Sequence, residues 1–341
     1  MIYVDVTKTG RARHRSGLTR VTSRLLQEFG GKAAPVAWPF SNPAGRKDWL
    51  LTAELFSEDE RPGFTAFLAG GRGHAAAIFH DAIPLKHPHI TWPQSVARHP
   101  VYMKLLARFD RVWAVSAASR DELLGFWRWQ GVDQHPPVEV LPLGADFDGA
   151  PRKTNAVGSN VRPHAVPVLL CVGIIEPRKN QLFLLEVCEQ LWRSGCRFEL
   201  HVVGRVNPHF GAPIVKRLKA AAKIHAGLRF HAAADDRMLA GLFARAHATV
   251  FPTLAEGCGL PLLESLWGGV PCVCSDLPVL RENADAGGCV PVAANDHGAW
   301  VAALRRVLTD DSLHAELVHQ ATMRPLPTWH DTAATLSRAF Q

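Results

Sequence analysis

"ATVFPTLAEGCGLPLLESLWGGVPCVCS" occupies residues 248–275. Its first apolar run, "ATVFP", has strand composition and ends at Pro252, and "GVPCVCS" is a second such run. Between them, Gly257 and Gly259 permit tight backbone geometry, and Pro261 suits the first turn of a helix. The stretch therefore predicts strand, loop, helix and strand in order, the unit from which parallel sheets are built. A loop that feeds a helix start presents unpaired N–H groups, a ready site for an anion. Glu256 falls in that loop, and Glu264 is expected in the first turn of the helix. Two acids beside an anion site repel a phosphate unless each has another partner, such as a sugar hydroxyl. A ligand that carries both phosphate and hydroxyls resolves the conflict.

The same alternation extends in both directions. Strand-like runs include "IYVDV", "AAIFHD", "RVWAVS" and "VEVLPL" in the first half, and "VPVLLCVG", "FELHVVG", "LRFHA" and "ATVFP" in the second. Helical stretches lie between them, such as "NQLFLLEVCEQLWRSG", with apolar residues at 182, 185, 188 and 191. Residues 150–166 are rich in Pro, Asn, Gly and Ser without periodicity, which predicts a linker. Two α/β domains with a cleft between them are expected, 1–150 and 151–329. The final helix, 330–341, packs on the second or returns to the first.

The length of 341 residues favours two cores over one. No run of eighteen apolar residues occurs, and "MIYVDVTKTG" lacks the features of a signal peptide. Seven scattered cysteines with no CxxC pair suit a reducing cytoplasm, several of them as small buried hydrophobes. A turn cysteine with no matched base, Cys258, is a poor nucleophile candidate. The net charge of +7 suits phosphate-bearing ligands, an anionic membrane surface or nucleic acid alike.

"VLLCVGIIEPRKN", residues 168–180, supplies cations. It is a strand and a turn with Arg178 and Lys179 just before the next helix. The planar fork of an arginine and the point charge of a lysine can bracket a diphosphate. Taken alone, the pair also fits two solvated loop charges. With "EGCGLPLLE" and "GGVPCVCSDLPVLRE" it resembles the family 4 glycosyltransferases of GT-B fold, with their E-x7-E motif. "YVDVTKTGRARHRSGLTRVTSRLL", "IFHDAIPL" and "VSAASRDELL" look like that family's first strand with its glycine loop, a His-Asp strand end and a Ser-led helix. The match covers nearly the whole chain.

The resemblance implies a fold of two Rossmann-like domains, the second holding a nucleotide-sugar donor. By the family pattern Glu264 would bond the ribose and Glu256 would face the donor sugar near the reacting centre. Arg178 and Lys179 would hold the diphosphate with N–H groups around Gly259 and Leu260. Gly17 would let the first-domain loop approach phosphate or acceptor, and His80 looks like the histidine that contacts the donor sugar. Many members carry Arg directly after the glycine of this strand, where Ile174 follows Gly173 here. That shifts phosphate work onto Arg178. Transfer with retention is implied, by front-face attack assisted by the leaving phosphate, with no glycosyl-enzyme on Glu256. "EPRKN" without the extra Arg resembles bacterial mannosyl- and related transferases of surface polysaccharide synthesis, so GDP-mannose is the first expectation. The acceptor is a glycan or a lipid-linked sugar. A UDP-sugar donor, a nucleotide-sugar epimerase or a sugar phosphorylase are the alternatives.

Lys8, Arg11, Arg13, Arg15 and Arg20 form a basic run. Arg13 and Arg15, with Asp81 at the His-Asp strand end, are the acceptor-side candidates. A lipid-linked phosphate at the inner face of a membrane would suit the run, as would plain solvation. "SVARHPVYMKLLARF" mixes basic and apolar residues in a way that fits peripheral membrane contact, but Pro100 is expected to interrupt it. "DFD" at Asp146–Asp148 is read as a turn, and the loop histidines His87 and His89 have no zinc-type spacing. No metal and no cofactor are expected, the nucleotide-sugar being a substrate. Nucleic acid is set aside because no zinc finger, aromatic RNP-type signature or reading helix accompanies the charge. The expected location is the cytoplasm, with contact at the inner membrane face.

Overall fold

The computed structural model describes residues 1–11, 17–40, 45, 47–70, 73–147, 151–153 and 166–341. The chain divides into two compact units, Met1–Gly144 with Pro327–Gln341, and Ala145–Leu326. The division thus falls at Gly144 rather than at 150. Much of the linker expected over 150–166 lies outside the described residues.

The described part of the first unit is built on β1 (Ile2–Asp5), β2 (Ala33–Val36), β3 (Trp49–Thr52), β4 (His74–Phe79), β5 (Arg111–Ala114) and β6 (Val138–Val140). They form one parallel sheet in the order β2-β1-β3-β4-β5-β6. The order reverses between β1 and β3, so loops leaving those two strands splay apart and open a crevice at their carboxyl ends. β4 is buried from Ala75 to Phe79, as expected for a parallel strand covered on both faces.

The second unit contains β7 (Val168–Val172), β8 (Glu199–Val203), β9 (Leu228–His231), β10 (Ala248–Phe251), β11 (Cys272–Ser275) and β12 (Cys289–Val292). Their order is β12-β11-β10-β7-β8-β9, again parallel throughout. Numbered within the unit and read from its β9 edge, this is the 3-2-1-4-5-6 order of dinucleotide-binding sheets, with its reversal between β7 and β10. The helix Gln181–Arg193 turns Leu184, Leu185, Cys188 and Leu191 into the core, where Trp300 of the helix His297–Thr309 meets them. All seven cysteines are free thiols, and Cys171, Cys188, Cys272 and Cys274 are buried.

The last helix, Trp329–Ala339, packs on the helix Gly17–Phe29 of the first unit. Thr328 and Asp331 cap it reciprocally. Its Thr332 hydroxyl donates to the carbonyl of Pro142 at 2.8 Å, and Phe340 stacks on Trp49 with ring centroids 4.7 Å apart. Pro100, expected to interrupt its helix, lies inside a continuous one, Pro93–Leu106. The buried side chains of His99, Tyr102, Met103, Leu105 and Leu106 anchor the turns around it, so packing outweighs the lost N–H. Among the described residues no helix is long and apolar enough to cross a membrane.

Candidate functional site in the second unit

The reversal between β7 and β10 brings the two stretches singled out in the sequence to one place. β7 runs into Gly173, and Gly204 crosses that backbone so closely that a Cβ at Gly204 would lie 1.7 Å from the Gly173 carbonyl oxygen. The chain then makes a 3-10 turn over Pro177–Lys179 and enters the helix Gln181–Arg193 through Asn180, which is left-handed at φ 56°. The loop after β10 is tied to that turn by its backbone. The Leu254 N–H donates to the Arg178 carbonyl at 2.8 Å.

Side chains complete the junction. Glu256 Oε1 accepts from Lys179 Nζ at 2.5 Å, the Thr253 hydroxyl at 2.6 Å and an Arg178 guanidinium nitrogen at 3.0 Å. The same Arg178 nitrogen donates to the Ala255 carbonyl at 2.7 Å. Glu176 Oε1 receives the other face of that guanidinium at 2.8 and 2.9 Å, and Glu176 Oε2 accepts from Asn207 Nδ2 at 2.9 Å. Asn207 in turn accepts the N–H groups of His209 and Phe210. The loops after β7, β8 and β10 are thereby one hydrogen-bonded assembly.

The electrostatics follow from burial. The Glu256 and Lys179 side chains are each 9% exposed. Burial pushes the Glu256 carboxyl up, but Lys179 and Arg178 together outweigh it and hold the group below the usual carboxylate range. For Lys179, burial is the larger influence and lowers it despite the Glu256 charge. Its ammonium also lies 4.7 Å from the centre of the Phe251 ring.

The loop after Glu256 leads into the helix Leu260–Trp267. Gly259 stands at φ 83°, where a Cβ would also approach Leu280 Cδ2 to 2.6 Å, so glycine is required twice over. Asn283 Nδ2 donates to the Cys258 carbonyl at 2.6 Å and fixes the turn. Leu260 is the first helical residue. Glu264 is the fifth, in the second turn and not the first, because the helix begins only after the left-handed Gly259. Glu264 is 7% exposed, and that depth rather than a helix-end charge effect distinguishes it. Cys258 is unfit as a nucleophile, since burial, with nearby carboxylates, pushes its thiol up to about 12.

The remaining candidates belong to the first unit. His80 follows β4, and its Nε2 donates to the Ala53 carbonyl at 2.9 Å, so Nδ1 bears the lone pair of the neutral ring. Burial lowers its pKa and keeps it neutral. Asp81 Oδ1 accepts the Ile83 N–H at 3.0 Å, a local turn that leads into the short helix Ile83–Lys86. Gly17 opens the helix Gly17–Phe29, and a Cβ there would meet nothing within 4 Å. Arg13 and Arg15 lie outside the described residues, as does Asp148 of the acidic turn. Among the described residues no group of three or more His, Cys, Asp and Glu is arranged to hold a metal ion.

Three buried residues at the first unit's own strand reversal were not singled out in the sequence. Arg61 bridges Asp5, at 2.5 Å, and Glu54, and all three are at most 2% exposed. Glu54 also accepts the N–H groups of Lys8 and Thr9, at 2.7 to 2.9 Å, and the Thr9 hydroxyl. The clamp thus fixes the loop that leaves β1. Thr253, Glu176 and Asn207 were also missed. Only Thr253 had a local signal, a hydroxyl three residues before an acid.

Residues 166–310 match the family described as Glycosyl transferases group 1. The chain carries a group 1 glycosyltransferase domain. That domain contains Arg178, Lys179, Glu256 and Glu264. Serotype-specific mannosyltransferase WbdA of Escherichia coli is 30% identical over 243 residues, 69% of this chain and 29% of that protein. O-antigen chain mannosyltransferase B of Escherichia coli is 33% identical over 144 residues, 42% of this chain and 37% of that protein. The chain therefore spans little more than a third of these curated relatives at most. Among solved structures, sucrose-phosphate synthase from Thermosynechococcus elongatus superposes with a TM-score of 0.73 at 16% identity, covering 99% of this chain and 98% of that one. The group 1 domain and the first unit together have the GT-B fold.

Proposed function

We propose that this protein is a retaining glycosyltransferase that moves mannose from GDP-mannose to a glycan or lipid-linked acceptor in surface polysaccharide synthesis, without a metal. The observation that carries this reading is the convergence of Arg178, Lys179 and Glu256 at the strand reversal of the group 1 domain, beside the start of the helix Leu260–Trp267. A diphosphate needs cations and N–H donors, and both are present there. A hexose needs a fixed acceptor for its hydroxyls, and the Glu256 carboxylate is held ionised.

In this mechanism the two cations balance the charge that grows on the leaving phosphate, so stabilisation is electrostatic rather than covalent. That phosphate helps take the proton of the attacking hydroxyl. Glu256 orients the sugar, Glu264 the ribose, and His80 offers its Nδ1 lone pair to a donor-sugar hydroxyl. The mannose assignment is supported by the names of the relatives above, both of which are mannosyltransferases.

The test is incubation with GDP-mannose or UDP-sugars and glycan or lipid-linked acceptors, with and without EDTA. Expected is a product from GDP-mannose in the donor's own anomeric configuration by NMR, insensitive to EDTA. An inverted product, or sugar phosphate formed only with free phosphate, would discard the proposal. Transfer from a UDP-sugar alone would keep the enzyme class and replace the donor.

A further inference from the structure

Glu256 accepts three hydrogen bonds, and all three end on Oε1. Oε2 accepts none among the described residues. Glu176, by contrast, is held through both oxygens, by Arg178 and by Asn207. Among the described residues the charged side chains joined at this junction, Glu176, Glu256, Arg178 and Lys179, sum to zero. A diphosphate entering this buried cluster therefore meets no surplus positive charge. It leaves the whole net negative in a setting that penalises unpaired charge heavily. Relief requires one carboxylate to change partners, and the geometry selects Glu256.

Resting on the glycosyltransferase reading above, we infer that Glu256 is the resident anion of the phosphate site. It occupies the Arg178–Lys179 pair when no diphosphate is bound and competes with a nucleoside diphosphate for that pair. A donor with its sugar attached supplies hydroxyls to Oε2 and draws the carboxylate off the cations. Once the sugar has been transferred those hydroxyls are gone. The carboxylate returns to Lys179 and displaces the nucleoside diphosphate. The residue that positions the sugar thus also drives product release, and free nucleoside diphosphate is a poor ligand because its ribose hydroxyls go to Glu264 and it has no sugar hydroxyl for Glu256.

The test is titration calorimetry of GDP and UDP into the wild-type chain and into Glu256→Gln and Glu256→Ala, each checked for a cooperative thermal transition. Either substitution removes the competing charge and leaves the buried Lys179 in want of an anion, while Arg178 keeps its pairing with Glu176. Expected is binding of the nucleoside diphosphate at least about tenfold tighter than in wild type. Equal or weaker binding by the folded variants overturns the inference. Should neither variant fold, the crystal structure of the wild-type chain with the nucleoside diphosphate decides. Glu256 Oε1 should then lie beyond about 4 Å from Lys179 Nζ, and retention of the 2.5 Å contact overturns the inference. Failure of wild type and both variants to bind any nucleoside diphosphate would instead remove the glycosyltransferase reading beneath it.

Discussion

His247 and His314 stack face to face, with ring centroids 3.7 Å apart and planes 9° from parallel. His247 Nε2 donates to the Val307 carbonyl and His314 Nε2 to the His247 carbonyl, each at 2.8 Å. The pair fastens the strand β10 to the helices His297–Thr309 and Asp311–Met323. Burial lowers the His247 pKa below 6.5, outweighing the hydrogen bond to the Val307 carbonyl, and the adjacent His314 adds to the effect against a smaller pull from Asp311. Below pH 6.5 the unfolded chain takes up this proton before the folded one does. Stability present above that pH is therefore lost as the pH falls towards the folded value. The thermal midpoint should fall further between pH 7.5 and 5.5 in wild type than in His247→Gln, whose amide can still donate to Val307. Equal falls would remove His247 as the cause.

Replacing Arg61 by Met should cost about 3–5 kcal/mol in urea unfolding, because Asp5 and Glu54 would be left as buried, uncompensated charges. Arg61→Lys should recover little of this, since one ammonium cannot reproduce a fork that reaches both acids. Full stability in either variant would contradict the clamp.

Two glycines make a contrasting pair. Gly204→Ala should lower the thermal midpoint and abolish nucleotide binding, because the added Cβ collides with the Gly173 backbone at the base of the site. Gly17→Ala should leave the midpoint unchanged, because its Cβ enters open space. Any activity lost in Gly17→Ala would report on a ligand that approaches this backbone, and unaltered kinetics would end the proposed role for Gly17.

The two glutamates of the opening stretch should separate kinetically. Glu264→Ala should raise the donor KM by roughly 10- to 100-fold, in line with loss of hydrogen bonds to a charged group. Glu256→Ala should instead lower kcat by a similar or larger factor. Equal effects on both parameters, or none in either variant, would refute the division of labour.

Much of the site was legible because its parts are local. A strand end, a glycine turn, a proline and an acid within 28 residues, and a basic pair directly after another strand, each have short-range signals. What joins them is not local. Arg178 and Glu256 are 78 residues apart, and only the strand order that sets β10 beside β7 brings them together. Arg61 stands in a polar loop with no local signal to single it out, yet it is 0% exposed because its partners come from β1 and the loop just after β3. Pro100 misled for the opposite reason. Its local penalty was visible, and the buried face that offsets it was not.

The last helix has a further consequence, which concerns the order of synthesis. Residues 145–326 form an uninterrupted insert, so the second unit is complete on the ribosome before the first one is. Until residues 327–341 emerge, the face of the first unit that receives Trp329, Thr332 and Phe340 stays open, with Trp49 and Trp113 lacking the Phe340 ring. The first unit is thus completed only after the second, and a nascent chain carries an open apolar face on it for as long as residues 145–326 are being made.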